Sequence, residues 1–232
     1  MTAKIEQLID KKDGFEVVRD VIAHILEVEI TNQRKLAVEA NKENPDQWSF
    51  DVRRERSNPI EEFRNLARED SKNSKPVINV WYDNSAFPRG RGNVVNRQTS
   101  SSVFNIDCYG LGISENINGG GHVAGDEEAA LNVQFCVKLV RNILMSSYYT
   151  YLGLQGFVGR RWVDSISAEQ AEFNNNNGLH VRAVRIIFNV DFNEFSPQFE
   201  GETLEKAFIK LIRASDNKEL SKVHFDYQET EG

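Results

Sequence analysis

Apolar residues recur at helical spacing near the start of the chain. Residues 1–43 carry an apolar series one turn apart between charged residues, so this segment is predicted to be helical. Asp13 and Gly14 predict a break before its longer part, and Asn44 with Pro45 predicts its end. The length of this helix is compatible with two interpretations: an arm that contacts another subunit, or a helix packed on its own sheet.

A second helix is predicted over residues 126–149. Its first turn is acidic, with Asp126, Glu127 and Glu128 where the helix dipole favours carboxylates. The predicted buried stripe consists of Ala129, Val133, Cys136, Val137, Val140, Ile143 and Leu144, widened by Phe135 and Leu139. A stripe this wide suggests that the helix is buried on two sides.

Period-two alternation of apolar and polar residues predicts the strands. It is clearest over residues 180–192. Further strands are predicted at 48–53, 76–82, 99–109 and 160–167, with long loops at 83–98 and 110–125 and short helix at 60–68. Residues 204–228 fit a helix or a hairpin, and the alternation favours the hairpin.

The order of these elements predicts the fold class and the domains. Strands that do not alternate regularly with helices indicate an α+β fold, here a mainly antiparallel sheet covered by a long helix. We expect an N-terminal helical arm over residues 1–45 and an α+β domain over residues 46–232.

Composition narrows the class of protein. The chain has 232 residues, 40% of them hydrophobic, and a net charge of −7, which is unlike a strongly basic nucleic-acid binder. No apolar run reaches the roughly 20 residues that a membrane span needs, so no membrane partner is expected. The first residues lack a signal-peptide pattern, which predicts synthesis in a cytoplasm. Cys108 and Cys136 are predicted to be reduced thiols in the core.

Candidate chemistry is sparse in this sequence. The four histidines lie at no metal-ligand spacing, although His122 near Asp126 leaves a metal site as an alternative. The glycine cluster at residues 119–125 is not followed by the Lys-Ser/Thr of a phosphate-binding loop, and we interpret it as a linker. We therefore predict no catalytic residue, no metal ligand and no cofactor.

One loop is locally basic. Residues 87–93, FPRGRGN, include Arg89 and Arg91. Such a loop can contact a phosphate backbone, contact an acidic protein surface, or serve solubility alone, and the sequence leaves these three open.

The order of the motifs resembles that of the tail-terminator proteins of tailed bacteriophages, also called tail-completion or neck proteins. The segments that carry the resemblance are, in order, QWSFDVRRERSNPIEEF, VINVWYDN, VFNIDCYGLG, EEAALNVQFCVKLVRNIL, RRWVDSISAEQ and HVRAVRIIFNVDFNEFSP. The family has a Val-Arg-x-Ile-Leu centre in its long helix, which matches residues 140–144, and a later strand that ends near an acidic residue and a proline, here Glu194 and Pro197. The resemblance covers roughly residues 46–228.

This resemblance implies a structural role without catalysis. Members form a ring, usually sixfold, at the head-proximal end of the tail tube, where they stop tube growth and form the surface for head joining. The implied partners are further copies of the chain, the tube protein, a head–tail connector protein and, in a contractile tail, the sheath; DNA only passes through the lumen. The implied location is the virion.

The predicted interface residues come from the wide-striped helix and the predicted loop at 83–98. They are Arg89, Arg91, Arg97, Phe135, Leu139 and Arg141. Two other functions stay open: another neck or tail protein, such as a head-completion protein or connector, and, further from the pattern, a metal-dependent enzyme.

Overall fold

The computed structural model describes residues 12–57, 75–88, 97–116, 122–169, 179–195, 206–212 and 219–226. The helices are α1 (Gly14–Glu39) and α2 (Gly125–Met145), with short 3₁₀ turns at Pro45–Trp48 and Ser147–Tyr149. The strands are β1 (Asp51–Arg54), β2 (Val77–Ala86), β3 (Arg97–Ile113), β4 (Glu115–Asn116), β5 (His122–Val123), β6 (Val158–Glu169), β7 (Leu179–Phe195), β8 (Lys206–Ile212) and β9 (Glu219–Asp226). The predicted helix at 60–68 and the centre of the predicted loop at 83–98 lie outside the described residues.

Five strands form the main sheet, in the order β1-β2-β3-β7-β6. Only β1 and β2 run parallel, and the other neighbours are antiparallel. The predicted α+β class is therefore confirmed. The predicted strand at 48–53 is shifted, because Trp48 ends a 3₁₀ turn and β1 begins at Asp51.

The C-terminal part forms a hairpin of its own. Strands β8 and β9 pair antiparallel as a separate two-stranded sheet. This confirms the hairpin over the helix for residues 204–228. The hairpin belongs to a small unit that includes Pro197–Gly232, whereas Gln7–Ser196 forms the larger unit. The predicted boundary after residue 45 stays a prediction.

Helix α1 shares its core with the main sheet. It begins at Gly14, after the predicted break, where the Asp13 backbone N–H donates to the Glu16 carboxylate at 2.9 Å. Val18, Ile22 and Leu26 are fully buried and join the apolar cluster formed with the sheet and α2. Helix α1 thus packs within its own subunit, and its contact with another subunit stays a prediction.

Strand β3 is buried on both faces. Phe104, Ile106 and Cys108 lie in the large cluster with α1 and α2, whereas Tyr109 and Leu111 belong to a second cluster. Since successive side chains of a strand alternate, the two clusters lie on opposite faces of the sheet. Its central position in the sheet explains why the second half of β3 is buried on both faces.

The predicted loop at 110–125 is wrong at its start, since β3 continues to Ile113. The reason is the contact of β3 with α2. A Cβ atom built on Gly110 would lie 2.6 Å from the Ala129 carbonyl oxygen, and one on Gly112 would overlap the Gly125 backbone. These glycines allow the helix backbone to approach the strand, a use of glycine that resembles a loop signal in the sequence.

Helix α2 ends earlier than predicted, at Met145 rather than residue 149. Arg161 of β6 donates to the carbonyl oxygens of Ser146 at 2.6 Å and Tyr149 at 2.5 Å. Ser146 is the C-cap residue of α2 and Tyr149 ends the 3₁₀ turn that follows, so Arg161 binds the segment directly after the helix. The end of α2 is thereby held to the first half of β6.

The two cysteines are free and buried, as predicted. Cys108 lies in β3 and Cys136 in α2, both within the same apolar cluster. Burial, together with the interaction with Cys108, raises the pKa of the Cys136 thiol well above its usual value. The thiol therefore stays protonated at neutral pH and behaves as a small apolar side chain.

Candidate protein-binding surface

A groove opens between α2 and the outer part of the main sheet. Its volume is about 600 Å³. Helix α2 contributes Ala130, Val133, Gln134, Val137, Lys138, Arg141 and Asn142; the sheet contributes Ile166, Ala168, Arg182, Ala183 and Val184. The sheet side of the groove belongs to β6, which lies at one edge of the sheet, and to β7 beside it.

The sheet side of this groove is apolar and exposed. Ile166 of β6 is 43% exposed, whereas its direct register partner on β7, Ile186, is 0% exposed. Both side chains point to the face of the sheet that carries the core, since register partners share a face. Ala168 is exposed and Val184 is half-buried on the same face. The core face of the sheet thus continues into solvent at its outer edge.

The groove carries positive charge and no negative charge. Lys138 and Arg141 project from α2 and Arg182 from β7, and the lining includes no aspartate or glutamate. Within the described part of the chain, none of these three cations forms an ion pair. The groove is therefore a local positive site on a chain whose net charge is −7.

Other arginines on the described surface are neutralised within the chain. Arg19 binds Asp20 and Glu55, and Arg54 binds Glu27 at 3.0 Å. Arg141 differs from Arg19 and Arg54 because it has no ion-pair partner among the described residues, although all three arginines reach the solvent. Unpaired cations beside an exposed apolar floor are available to a partner.

The predicted interface residues that the structure describes lie at different places in the subunit. Arg141 is exposed and lines the groove. Arg97 is the first residue of β3, paired in register with Phe195. Arg89 and Arg91 lie outside the described residues. Their roles in an interface stay predictions.

Phe135 and Leu139 widen the predicted apolar stripe of α2. Both side chains pack against residues of the same subunit. The ring of Phe135 packs edge-on against Trp48 at 4.9 Å between centroids and stacks near Phe50 at 6.1 Å. Leu139 is 8% exposed and belongs to the core. The width of the stripe therefore reflects two internal contacts of α2, one with the sheet and one with the segment after α1. Phe135 is half-buried, and the roles of both residues in an interface stay predictions.

Sequence reasoning missed the residues of the groove other than Arg141. Ile166 and Arg182 belong to segments predicted as ordinary strands, and Ala168 directly follows the predicted strand at 160–167, with no sign that this strand lies at a sheet edge. The available signal is Ile166 itself, an apolar residue between serines in a strand whose other positions are mostly polar.

A second, smaller cavity of about 370 Å³ lies between the helices. There the Tyr149 hydroxyl donates to the Glu29 carboxylate at 2.6 Å. Burial, then the hydrogen bond to Glu29 and its negative charge, raise the pKa of Tyr149 to about 12. The phenol stays protonated at neutral pH, so this contact links α1 to the end of α2.

Asp107, the most buried carboxylate among the described residues, is also held by internal contacts. Asp107 of β3 accepts from the Trp81 indole at 2.8 Å and from the Arg185 Nε at 2.7 Å. The Arg185 guanidinium also lies 5.2 Å from the centre of the Trp81 ring. These contacts join β2, β3 and β7 on one face of the sheet and neutralise the carboxylate where it is buried.

His180 and Glu128 are each held by a separate contact near the end of β3. His180 Nε2 lies 2.9 Å from the Ser114 hydroxyl, and Glu128 accepts from the Ile113 backbone N–H at 3.0 Å. Among the residues that the structure describes, no group of three or more His, Cys, Asp or Glu side chains is placed to hold a metal ion. The acidic start of α2 contributes to the junction with β3 through Glu128.

Two further findings concern membrane spans and similarity to known proteins. No helix in the described ranges combines the length and apolar character needed to cross a membrane. No family model and no curated protein sequence matches this chain. The surface just described, and the order of the motifs, are therefore what bears on function.

Proposed function

We propose that the protein is a structural subunit of a phage tail, a tail terminator that closes the head-proximal end of the tube as a ring. The observation that carries this proposal is the groove between α2 and β6, where an apolar floor and three unpaired cations face the solvent. Exposed apolar surface with a polar rim is typical of sites for protein contacts. The work assigned to the protein is assembly through complementary surfaces.

The residues of the Val-Arg-x-Ile-Leu helix motif fall into a buried group and an exposed group. Within residues 140–144, Val140, Ile143 and Leu144 are buried in the core. Arg141 and Asn142 are exposed and line the groove. The apolar positions of the motif thus hold the helix on the subunit, while its polar positions face the surface that we assign to assembly.

A ring needs two different contact surfaces on each subunit, because its contacts join head to tail rather than like to like. In this proposal the ring contacts use other surfaces of the subunit, and the groove serves a contact with another protein of the tail. In this proposal the protein acts in the virion, and its partners are further copies in a ring expected to be sixfold, the tube protein, the head–tail connector and the sheath of a contractile tail. DNA passes through the lumen.

The test is electron microscopy of particles made by a phage that carries a stop codon early in this gene. We expect overlong tails separate from DNA-filled heads, because tube growth would have no end point and heads no docking surface. Supply of the intact gene from a plasmid should restore joined particles of normal length.

A matched pair of variants sharpens this test. Arg141→Glu reverses a charge in the groove, and Lys35→Glu makes the same change at an exposed position on α1. We expect only Lys35→Glu to restore particles in the same experiment. Joined particles of normal length without the protein would contradict the proposal, and heads that lose their DNA would indicate a head-completion protein instead.

A further inference from the structure

We propose that the groove between α2 and β6 receives an extended acidic segment of another protein, which adds to the open edge of the main sheet. The inference rests on the proposed function, since it assumes that the protein works through contacts with other proteins. It goes further by giving the groove one occupant and by stating the chemistry of that occupant.

The edge strand provides the first argument. Within the described residues, β6 pairs with β7 on one side and with no strand on the other. An unpaired strand edge presents backbone donors and acceptors in a row, which an extended segment satisfies by adding as a further strand. The groove runs beside this edge, so a strand added here would have alternate side chains facing α2.

The floor provides the second argument. A side chain on the α2 side of an added strand would lie beside Ile166 and Ala168, which are exposed on that face. Cross-strand neighbours on one face of a sheet pack against each other at about 5 Å. Apolar side chains at these positions would continue the core face, which Ile186 and Val184 already form on β7.

Charge decides which kind of segment fits. Lys138, Arg141 and Arg182 have no ion-pair partner in the described part of the chain, and the groove has no carboxylate of its own. A segment that carries Asp or Glu among its apolar residues would neutralise these cations at a partly desolvated site, where charge pairs are stronger than in bulk water.

The same cations argue against two copies pairing through this edge. If β6 of one copy paired with β6 of another about a twofold axis normal to the sheet, both grooves would lie on the same face and their cations would approach each other. Like charges placed together in this way oppose association. The occupant that the groove favours is therefore a different, acidic chain.

The probe for this proposal is a fluorescein-labelled ten-residue peptide in which every second residue is in turn valine or glutamate and the residues between them are threonine, so that both valine and glutamate can face the groove. It is titrated with the full-length protein and followed by fluorescence anisotropy. The control peptide has lysine in place of every glutamate. We expect the acidic peptide to bind at least tenfold more tightly than the basic one. Because salt screens exposed charges, this preference should decrease as salt is raised.

Two pairs of variants place the binding in the groove. Arg141→Glu and Ile166→Asp should each weaken binding of the acidic peptide at least tenfold. Lys35→Glu and Leu36→Asp make the same changes on α1, where both residues are exposed, and should change it less than twofold. Unchanged circular dichroism and thermal unfolding would show that the variants are folded.

Three results would overturn the proposal: equal binding of the two peptides, equal loss in the groove and α1 variants, or a self-associated protein that only the groove variants dissociate. The last would assign the groove to a second copy. The outcome is separate from the tail-length experiment. Normal tails with intact peptide binding would reject the terminator role, whereas overlong tails without peptide binding would reject only this occupant.

Discussion

Helix α2 meets the sheet in two different ways. Against β3 the contact is closed, because Gly110 and Gly112 have no side chains to hold the helix backbone away. Toward β6 the contact is open, and Ile166 is 43% exposed on the same face of the sheet. One helix thus fixes the fold along one side and leaves a groove along the other. The open side is where a partner can be bound without disturbing the core.

The pair Ile186 and Ile166 tests this difference most strongly, since the two residues face each other in register. Ile186→Ala should lower the free energy of unfolding by about 2–5 kcal/mol, because it leaves a cavity in a packed core. Ile166→Ala should lower it by about 1 kcal/mol or less, because the side chain is already exposed. Urea unfolding followed by circular dichroism measures both. Equal losses would mean that the groove is closed in solution.

The contact between Gly112 and α2 gives the next test of the difference between the two sides of the helix. Gly112→Ala should destabilise the protein by about 3 kcal/mol, the upper part of the range for overpacking, because the added methyl group meets the Gly125 backbone. The control is Gly159→Ala in β6, where the new Cβ atom would lie 3.6 Å from the Asp191 carbonyl oxygen, an ordinary contact. That change should be neutral or slightly stabilising. Similar unfolding midpoints for the two variants would contradict the closed contact.

Arg161 marks where the closed part of β6 ends. It is partly buried, burial lowers its pKa, and its guanidinium is held by the carbonyls of Ser146 and Tyr149. Arg161→Met should cost about 1.5–2 kcal/mol in unfolding free energy, since charge-assisted hydrogen bonds are lost.

The control for Arg161 is an exposed arginine in an ordinary surface pair. Arg34→Met removes a salt bridge to Asp46 whose two side chains are 49% and 74% exposed. Such pairs contribute about 0–1 kcal/mol, so the loss should be smaller than for Arg161. If the two variants unfold alike, the hold of Arg161 on the end of α2 contributes nothing measurable.

Much of the secondary structure follows from patterning that residues carry locally. The alternation over residues 180–192 predicts β7, and Val184, Ile186 and Phe188 do lie on one face. The break at Asp13 and Gly14 predicts the start of α1. At residues 110–113 the loop prediction fails, because Gly110 and Gly112 allow a close contact with α2, which is distant in the chain. Local patterning carries no information about such a contact.

The candidate surface shows more clearly what cannot be predicted from the sequence. Arg141 was predicted as an interface residue and lines the groove, whereas Phe135 and Leu139 pack inside the subunit. All three lie on one helix, so the sequence could indicate the helix but not which side of it another element covers. That depends on where the segment after α1 and the strand β6 are placed.

By itself, the sequence determined the α+β class, the apolar faces of α2 and β7, the C-terminal hairpin and the reduced state of the two cysteines. These depend on local periodicity and composition, which every residue carries with it. The order of the strands depends on contacts between segments distant in the chain. This order places β6 at the edge of the sheet and leaves Ile166 exposed. The physical reason is that burial is a property of neighbours, and neighbours distant in the chain are chosen by the packing of the whole sheet.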